Sequence, residues 1–196
     1  MTRTHWIVLC ALGTCVSGFA QHVDLERGKT EVRLFAGSTA GQATLNTPAI
    51  AGGGEVAYGL SRFFAWTGHY AYDSLGSLAD SSCFGSTCIQ SSARLSAHEF
   101  MSGVRFSAPN RSRVTPYASM SIGAIRFGAE ASVSGGGFSN SMSETMTKFA
   151  IAPGGGLNFR ISRRFGANVD VRWVRPLPNE DTPWYIRPSA GLYFRF

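Results

Sequence analysis

The chain of 196 residues has a formal net charge of +6, yet only 15% of it is charged and 23 residues are glycine. Its residues are 44% hydrophobic while the mean hydropathy is near zero, so the apolar side chains are dispersed along the chain. No apolar run is long enough for a membrane-crossing helix, and the charge content is low for a cytoplasmic globule, which leaves an all-β protein as the expectation.

Residues 1–20 read as a secretory signal. Arg3 supplies positive charge, Trp6 to Val16 an apolar core, and Gly18-Phe19-Ala20 small residues at the two positions a signal peptidase reads, Gly18 and Ala20. The mature chain, 21–196, then starts at Gln21. A competing lipoprotein-type cut before Cys15 fits less well, because Thr14 is a poor residue there. Cys10 and Cys15 leave with the signal, and Cys83 and Cys88 remain. In an oxidising compartment these two are expected to close a small disulfide loop. A metal site lacks a second ligand pair, and a free-thiol pair is the other alternative.

Eight alternating segments follow, at about 30–38, 51–61, 63–74, 95–107, 113–127, 145–161, 166–176 and 185–196. Three connections are tight: Ser61-Arg62, Pro109 to Ser112, and Ser162 to Arg164. The other four, about 39–50, 75–94, 128–144 and 177–184, are longer. Short and long alternate strictly, as in a closed up-and-down barrel with short turns at one rim and long loops at the other. The fold expected is an eight-stranded antiparallel transmembrane β-barrel over residues 21–196.

The faces carry the membrane argument. In the last segment Ile186, Pro188, Ala190, Leu192, Phe194 and Phe196 alternate with Tyr185, Arg187, Ser189, Gly191, Tyr193 and Arg195. In the seventh, Ala167, Val169, Val171 and Trp173 alternate with Asn168, Asp170 and Arg172. The polar face is made of small or ionic residues, too few in charge to coat a soluble barrel. Apolar side chains to lipid and polar ones to a narrow lumen fit better. An unpaired N–H or C=O in hydrocarbon costs several kcal/mol, so the sheet must close. Prolines 116, 153 and 188 belong at bulges or rims on this reading, because each removes a ladder donor. Phe63, Phe64, Trp66, Phe159, Phe165, Phe194 and Phe196 would belong to one aromatic girdle, and Tyr70, Tyr72 and Trp173 to the other.

The candidate lumen charges are Glu31, Arg33, Glu55, Glu99, Arg105, Asp170, Arg172 and Arg195, with Lys148, Arg160 and Arg187 beside them. Paired, they would fill the barrel centre; a narrow water-filled channel is the alternative. Asp73 and Arg126, near loop ends, are expected at the rim. No nucleotide, metal or cofactor fingerprint occurs, so no cofactor is expected. His69 and His98 show no forced Ser/His/acid arrangement, and an enzyme, such as a lipid-modifying one, is the lesser reading. The basic residues form no stripe for nucleic acid. The arginines near the short turns could meet anionic lipid head groups. Specificity would sit in the long loops, 75–94 with its cysteines and the Gly/Ser-rich 128–144, expected to be mobile. A soluble, lipocalin-like barrel with an apolar interior is the non-membrane rival.

Eight segments, a signal and the ending GLYFRF resemble the small outer-membrane β-barrel family of OmpA-like, OmpX-like and opacity-type proteins, over nearly all of 21–196. GLSRFFAW and NFRISRRFGANVDVRW add to the likeness. The resemblance implies a bacterial outer-membrane location in contact with lipids and lipopolysaccharide. It also implies that Leu192, Phe194 and Phe196 form a signal for the barrel-assembly machinery. Members of the family are structural, adhesive or host-interacting, and some are called porins, so a loop-presented surface role with an extracellular ligand is the expectation. No peptidoglycan-binding domain is expected, since the chain ends at the eighth segment.

Overall fold

The computed structural model describes residues 27–44, 49–84, 87–108, 112–177 and 183–196. The signal reading at 1–20 lies outside them. Eight strands run in chain order: β1 (Thr30–Gly41), β2 (Ala49–Gly59), β3 (Phe64–Phe84), β4 (Thr87–Ser107), β5 (Val114–Gly135), β6 (Phe138–Arg160), β7 (Phe165–Leu177) and β8 (Tyr185–Arg195). Each pairs antiparallel with its neighbours, and β8 returns to β1 through pairs such as Leu34 with Leu192, closing the ring. Closure leaves no edge within the ring, which a sheet in hydrocarbon requires.

Two of the tight turns are built alike. In Leu60 to Phe64 the Ser61 hydroxyl accepts from the backbone N–H groups of Phe63 and Phe64 at 3.2 and 3.1 Å. In Ile161 to Phe165 the Ser162 hydroxyl accepts from Arg164 and Phe165 at 3.3 and 3.0 Å. A short hydroxyl side chain that caps its own turn explains the repeated Ser-Arg at these positions. Most of the third tight turn, 109–111, lies outside the described residues.

The opposite end departs from expectation. Segments 75–94 and 128–144 are largely strand: β3 and β4 run on to Cys83 and Cys88, and β5 and β6 to a turn at Gly136-Gly137. Both turn glycines have positive φ, 58° and 84°, as a two-residue hairpin turn with a primed geometry demands. Serine-rich stretches pair here because their hydroxyls face water while alternate residues carry the apolar content.

The prolines also correct the reading. Pro116 sits near the short-turn end of β5, but Pro153 and Pro188 lie mid-strand with no register shift. The β6–β7 ladder lapses between Ile151 and Gly154, and the β1–β8 ladder between Gly37 and Ala40, opposite Pro188. Each of these two prolines falls where one ladder is interrupted, as a residue with no N–H to donate requires. The bulge lies instead between Ser74 and Gly76, where Gly76 has a φ of 109°.

The disulfide forms between Cys83 and Cys88, a cross-strand pair at the end of the β3–β4 hairpin. It closes a short loop well above the ring, so it secures the tip locally. Replacing both cysteines by serine should leave the barrel's urea midpoint unchanged while speeding protease cleavage at the tip. A lower midpoint would mean that the hairpin unfolds as one unit with the ring.

Candidate functional site

Strand parity places each predicted lumen residue. Glu31, Arg33, Glu55, Glu99, Arg105, Asp170 and Arg172 are buried on the inner face, and Arg195 is part-buried there. Val171 is 51% exposed on the outer face, while its neighbour Arg172 is 5% exposed. The aromatics Phe64, Trp66, Phe159, Tyr70, Tyr72 and Trp173 are likewise exposed.

The ionic residues meet across the lumen rather than along one wall. Glu31 accepts from Arg33 Nε at 2.6 Å, Arg105 Nη1 at 2.9 Å and Arg195 Nε at 2.7 Å. Glu55 accepts from Arg172 and lies 3.4 Å from Arg105 and 3.8 Å from Arg33. Arg172 Nε also donates to Asp170 at 2.9 Å, and the Tyr117 hydroxyl donates to Asp170 at 2.7 Å. Arg33 Nη2 donates to the Asn158 side chain at 2.9 Å, and its guanidinium lies 4.9 Å from the Tyr117 ring centroid.

A second group sits beside the first. Arg187 Nη1 donates to Asp73 at 2.9 Å and lies 2.9 Å from Glu99. The Tyr185 hydroxyl reaches Glu99 and lies 3.1 Å from Asp73. His69 joins the two groups. Arg172 Nη1 lies 2.9 Å from its Nδ1, and its Nε2 lies 3.1 Å from Glu99. A guanidinium only donates, so Nδ1 accepts and the hydrogen stays on Nε2. Strands β1 to β8 all contribute a side chain to this connected set, and its five carboxylates face five guanidiniums.

Some placements differ from the sequence reading. Asp73 is fully buried and paired, not at the rim; it is the last inward residue before the bulge, so its segment-end position misled. Arg126, by contrast, is exposed on the outer face in register with His98 and Tyr72, one pair short of where β2 stops, at the rim of the ring. Lys148 and Arg160 are half-buried and stand apart from the ion pairs above. The inner face also holds an apolar cluster of Leu75, Ala97, Met101, Ile125, Phe127 and Val174 toward the outer end. Parity signalled it, since Ile125 and Phe127 continue the inward series of Tyr117, Ser121 and Gly123, but the small-or-ionic rule for that face hid it. Of the histidines, His98 faces outward, with Nδ1 2.9 Å from the Tyr70 hydroxyl. Both nitrogens of His69 are engaged within the network.

The ionic layer and the apolar layer both lie within the bore. A cavity of about 10 Å³ lies among Arg33, Phe35, Glu55, Asn168, Asp170 and Arg172, roughly the space of a single water.

A closed ring of eight antiparallel strands, apolar outside and ionic within, defines a transmembrane β-barrel. The chain has the fold of the small eight-stranded outer-membrane barrels. It is similar to Ail, the attachment invasion locus protein of Yersinia pestis, at 17% identity and a TM-score of 0.53, covering 87% of this chain and 99% of that one. The same Yersinia protein in complex with the heparin analogue sucrose octasulfate matches at 16% identity and TM-score 0.53, over 87% and 99% of the two chains. Neisserial surface protein A matches at 12% identity and TM-score 0.50, over 86% of this chain and 96% of that one. No protein-family model matches the sequence, and no curated protein matches it.

Proposed function

We propose that the protein is an integral outer-membrane barrel whose lumen is a structural plug and whose work is done by the strands projecting beyond the ring. The lumen carries this reading: side chains from all eight strands meet across the bore, and one cavity among them is about 10 Å³. An eight-stranded interior is only just wide enough for side chains, and here they are paired across it. A surface-interaction or adhesive role, without catalysis, follows from what remains: the hairpin ends of β3 to β6, which stand clear of the ring. His69 serves the plug as a bridge between Arg172 and Glu99.

Lipid contact and export complete the proposal. Leu192, Phe194 and Phe196 line the outer face at the end of the chain, in the position of a strand presented to assembly machinery. The outer face of the ring would meet membrane lipid, with lipopolysaccharide at the hairpin side. The test is conductance in a planar bilayer. Protein inserted at single-molecule density should give no resolved current steps. Steps with the ohmic behaviour of a water-filled bore would replace the plug with a narrow channel.

A further inference from the structure

The outer face of the wall formed by β2 to β5 is built in tiers. Pairing lays that face out in rows, each taking one residue from every strand. One row is Val56, Gly68, Ser102 and Ile122, and the next toward the hairpins is Gly54, Tyr70, Phe100 and Ala124. The row after that is Gly52, Tyr72, His98 and Arg126, at the rim where β2 stops pairing.

The tier deepest in the wall is an apolar groove of about 510 Å³, with Gly54 and Gly68 in its floor and Val56, Tyr70, Phe100 and Ile122 around it. The ring does not demand glycine at the centre of this floor. A Cβ at Gly68 would meet only the Trp66 indole, at 3.5 and 3.8 Å, which is ordinary contact. At the inward Gly53 and Gly123 a Cβ would instead come within 2.2 and 2.1 Å of a backbone oxygen. Close approach of strands imposes those two glycines, whereas Gly68 leaves a hollow on the lipid face. The Tyr70 and Phe100 rings, with centroids 5.0 Å apart, bound the hollow on the hairpin side. Trp66 is fixed against Ser102, to whose hydroxyl its Nε1–H donates at 2.9 Å.

The second tier is cationic. Arg126 is exposed and has no ion-pair partner among the described residues. Its outer-face neighbours are His98, Thr147, Ala124 and Gly128, so no carboxylate adjoins it. His98 engages the Tyr70 hydroxyl through Nδ1, which leaves Nε2 for a ligand. A guanidinium at head-group level can hold a phosphate through two parallel hydrogen bonds.

The third tier is hydroxylic. Beyond the rim the same face of β4 to β6 carries Ser92, Ser96, Ser132, Ser141, Ser143 and Thr145. Arg94 and Glu130, partners in register on that face, add no net charge. Along β5, Arg126 stands four residues from Ile122, about 13 Å of strand and about 10 Å of depth at the usual tilt. A hydrocarbon core about 30 Å thick therefore places groove and rim in one leaflet.

We propose that this wall binds one phosphorylated glycolipid of the hairpin-side leaflet, the lipid A part of lipopolysaccharide. An acyl chain lies in the groove over Gly68, a phosphate meets Arg126 and His98, and the sugar rests against the hydroxyl face. This rests on the outer-membrane reading above and gives the lipid a defined seat. The order of the tiers matches the order of chain, phosphate and sugar in a single molecule. A glycerophospholipid supplies the first two and no sugar for the third.

The test is native mass spectrometry of the full protein, folded in detergent and released from mixed micelles. The micelles contain lipid A, lipid A stripped of phosphate, or phosphatidylglycerol. Wild type should retain one lipid A per barrel and shed the other two. Arg126→Ala and, separately, Gly68→Leu, which fills the groove, should each weaken retention by roughly tenfold. Arg113→Ala at the opposite rim should retain lipid A as wild type does. The heat-modifiable gel mobility of a folded barrel is required of every variant, and Arg126→Ala decides alone if Gly68→Leu does not fold. Equal retention of phosphatidylglycerol, or of the dephosphorylated lipid, would overturn the glycolipid assignment. So would retention unchanged in Arg126→Ala, or lost as much in Arg113→Ala, which would reduce the attraction to net charge. Folded wild-type protein that retains no lipid A would overturn this inference alone. Wild-type protein that stays in solution without detergent would overturn the membrane reading first, and this inference with it.

Discussion

Replacing Glu31 with alanine should lower the stability of the barrel by about 3–5 kcal/mol. The carboxylate is fully buried and accepts from Arg33, Arg105 and Arg195. Removing it leaves three guanidiniums facing one another across a bore too narrow for bulk water. A buried ion pair contributes little beyond an apolar filling of the same shape, but a buried charge that loses its partner is costly. Glu31→Gln, which keeps the volume and loses the charge, should recover only a small part of the deficit. Urea titration in vesicles, read by the gel mobility of folded and unfolded forms, gives the difference. A loss below about 1 kcal/mol would mean that water already reaches these guanidiniums, and the plug would give way to a hydrated channel.

Val171→Arg addresses the other face and should cost about 2–4 kcal/mol in a bilayer. Val171 lies midway along β7, exposed and flanked by Val169 and Trp173 on the same face. If that face meets hydrocarbon, the guanidinium must either stay in lipid or thin the membrane around it. If the barrel were soluble, the same substitution would put a charge in water on an exposed strand, with a change within about 0.5 kcal/mol. The two environments therefore predict clearly different outcomes from one variant. A negligible cost in vesicles, with the protein remaining in solution without detergent, would move the chain to the lipocalin-like alternative.

How much of this was visible beforehand depended on the range of the interaction. Parity within one strand is local, so the outward row of Leu192, Phe194 and Phe196 and the inward row of Arg187 and Arg195 were legible from β8 alone. The tight Ser-Arg turns were legible for the same reason, since each hydroxyl bonds its own neighbours. Two local patterns were misjudged. Serine and glycine in 75–94 and 128–144 read as loop because their apolar partners, Leu78, Val133 and Met142, are spaced along different strands and form a face only once paired. Asp73 read as a rim residue because segment ends do not show whether a strand continues.

By itself the sequence determined the strand number, the alternation that closes a ring, and the sign of each face, because period-2 patterning needs only adjacent residues. Tertiary structure alone decided the rest. Glu31 reaches Arg105 across the bore, and His69 links Arg172 to Glu99, because eight strands converge on one axis. Met142 stands uncovered because β3 to β6 outlast β2 and β7. Such distances follow from register and closure, which sum over the whole ring and belong to no single segment.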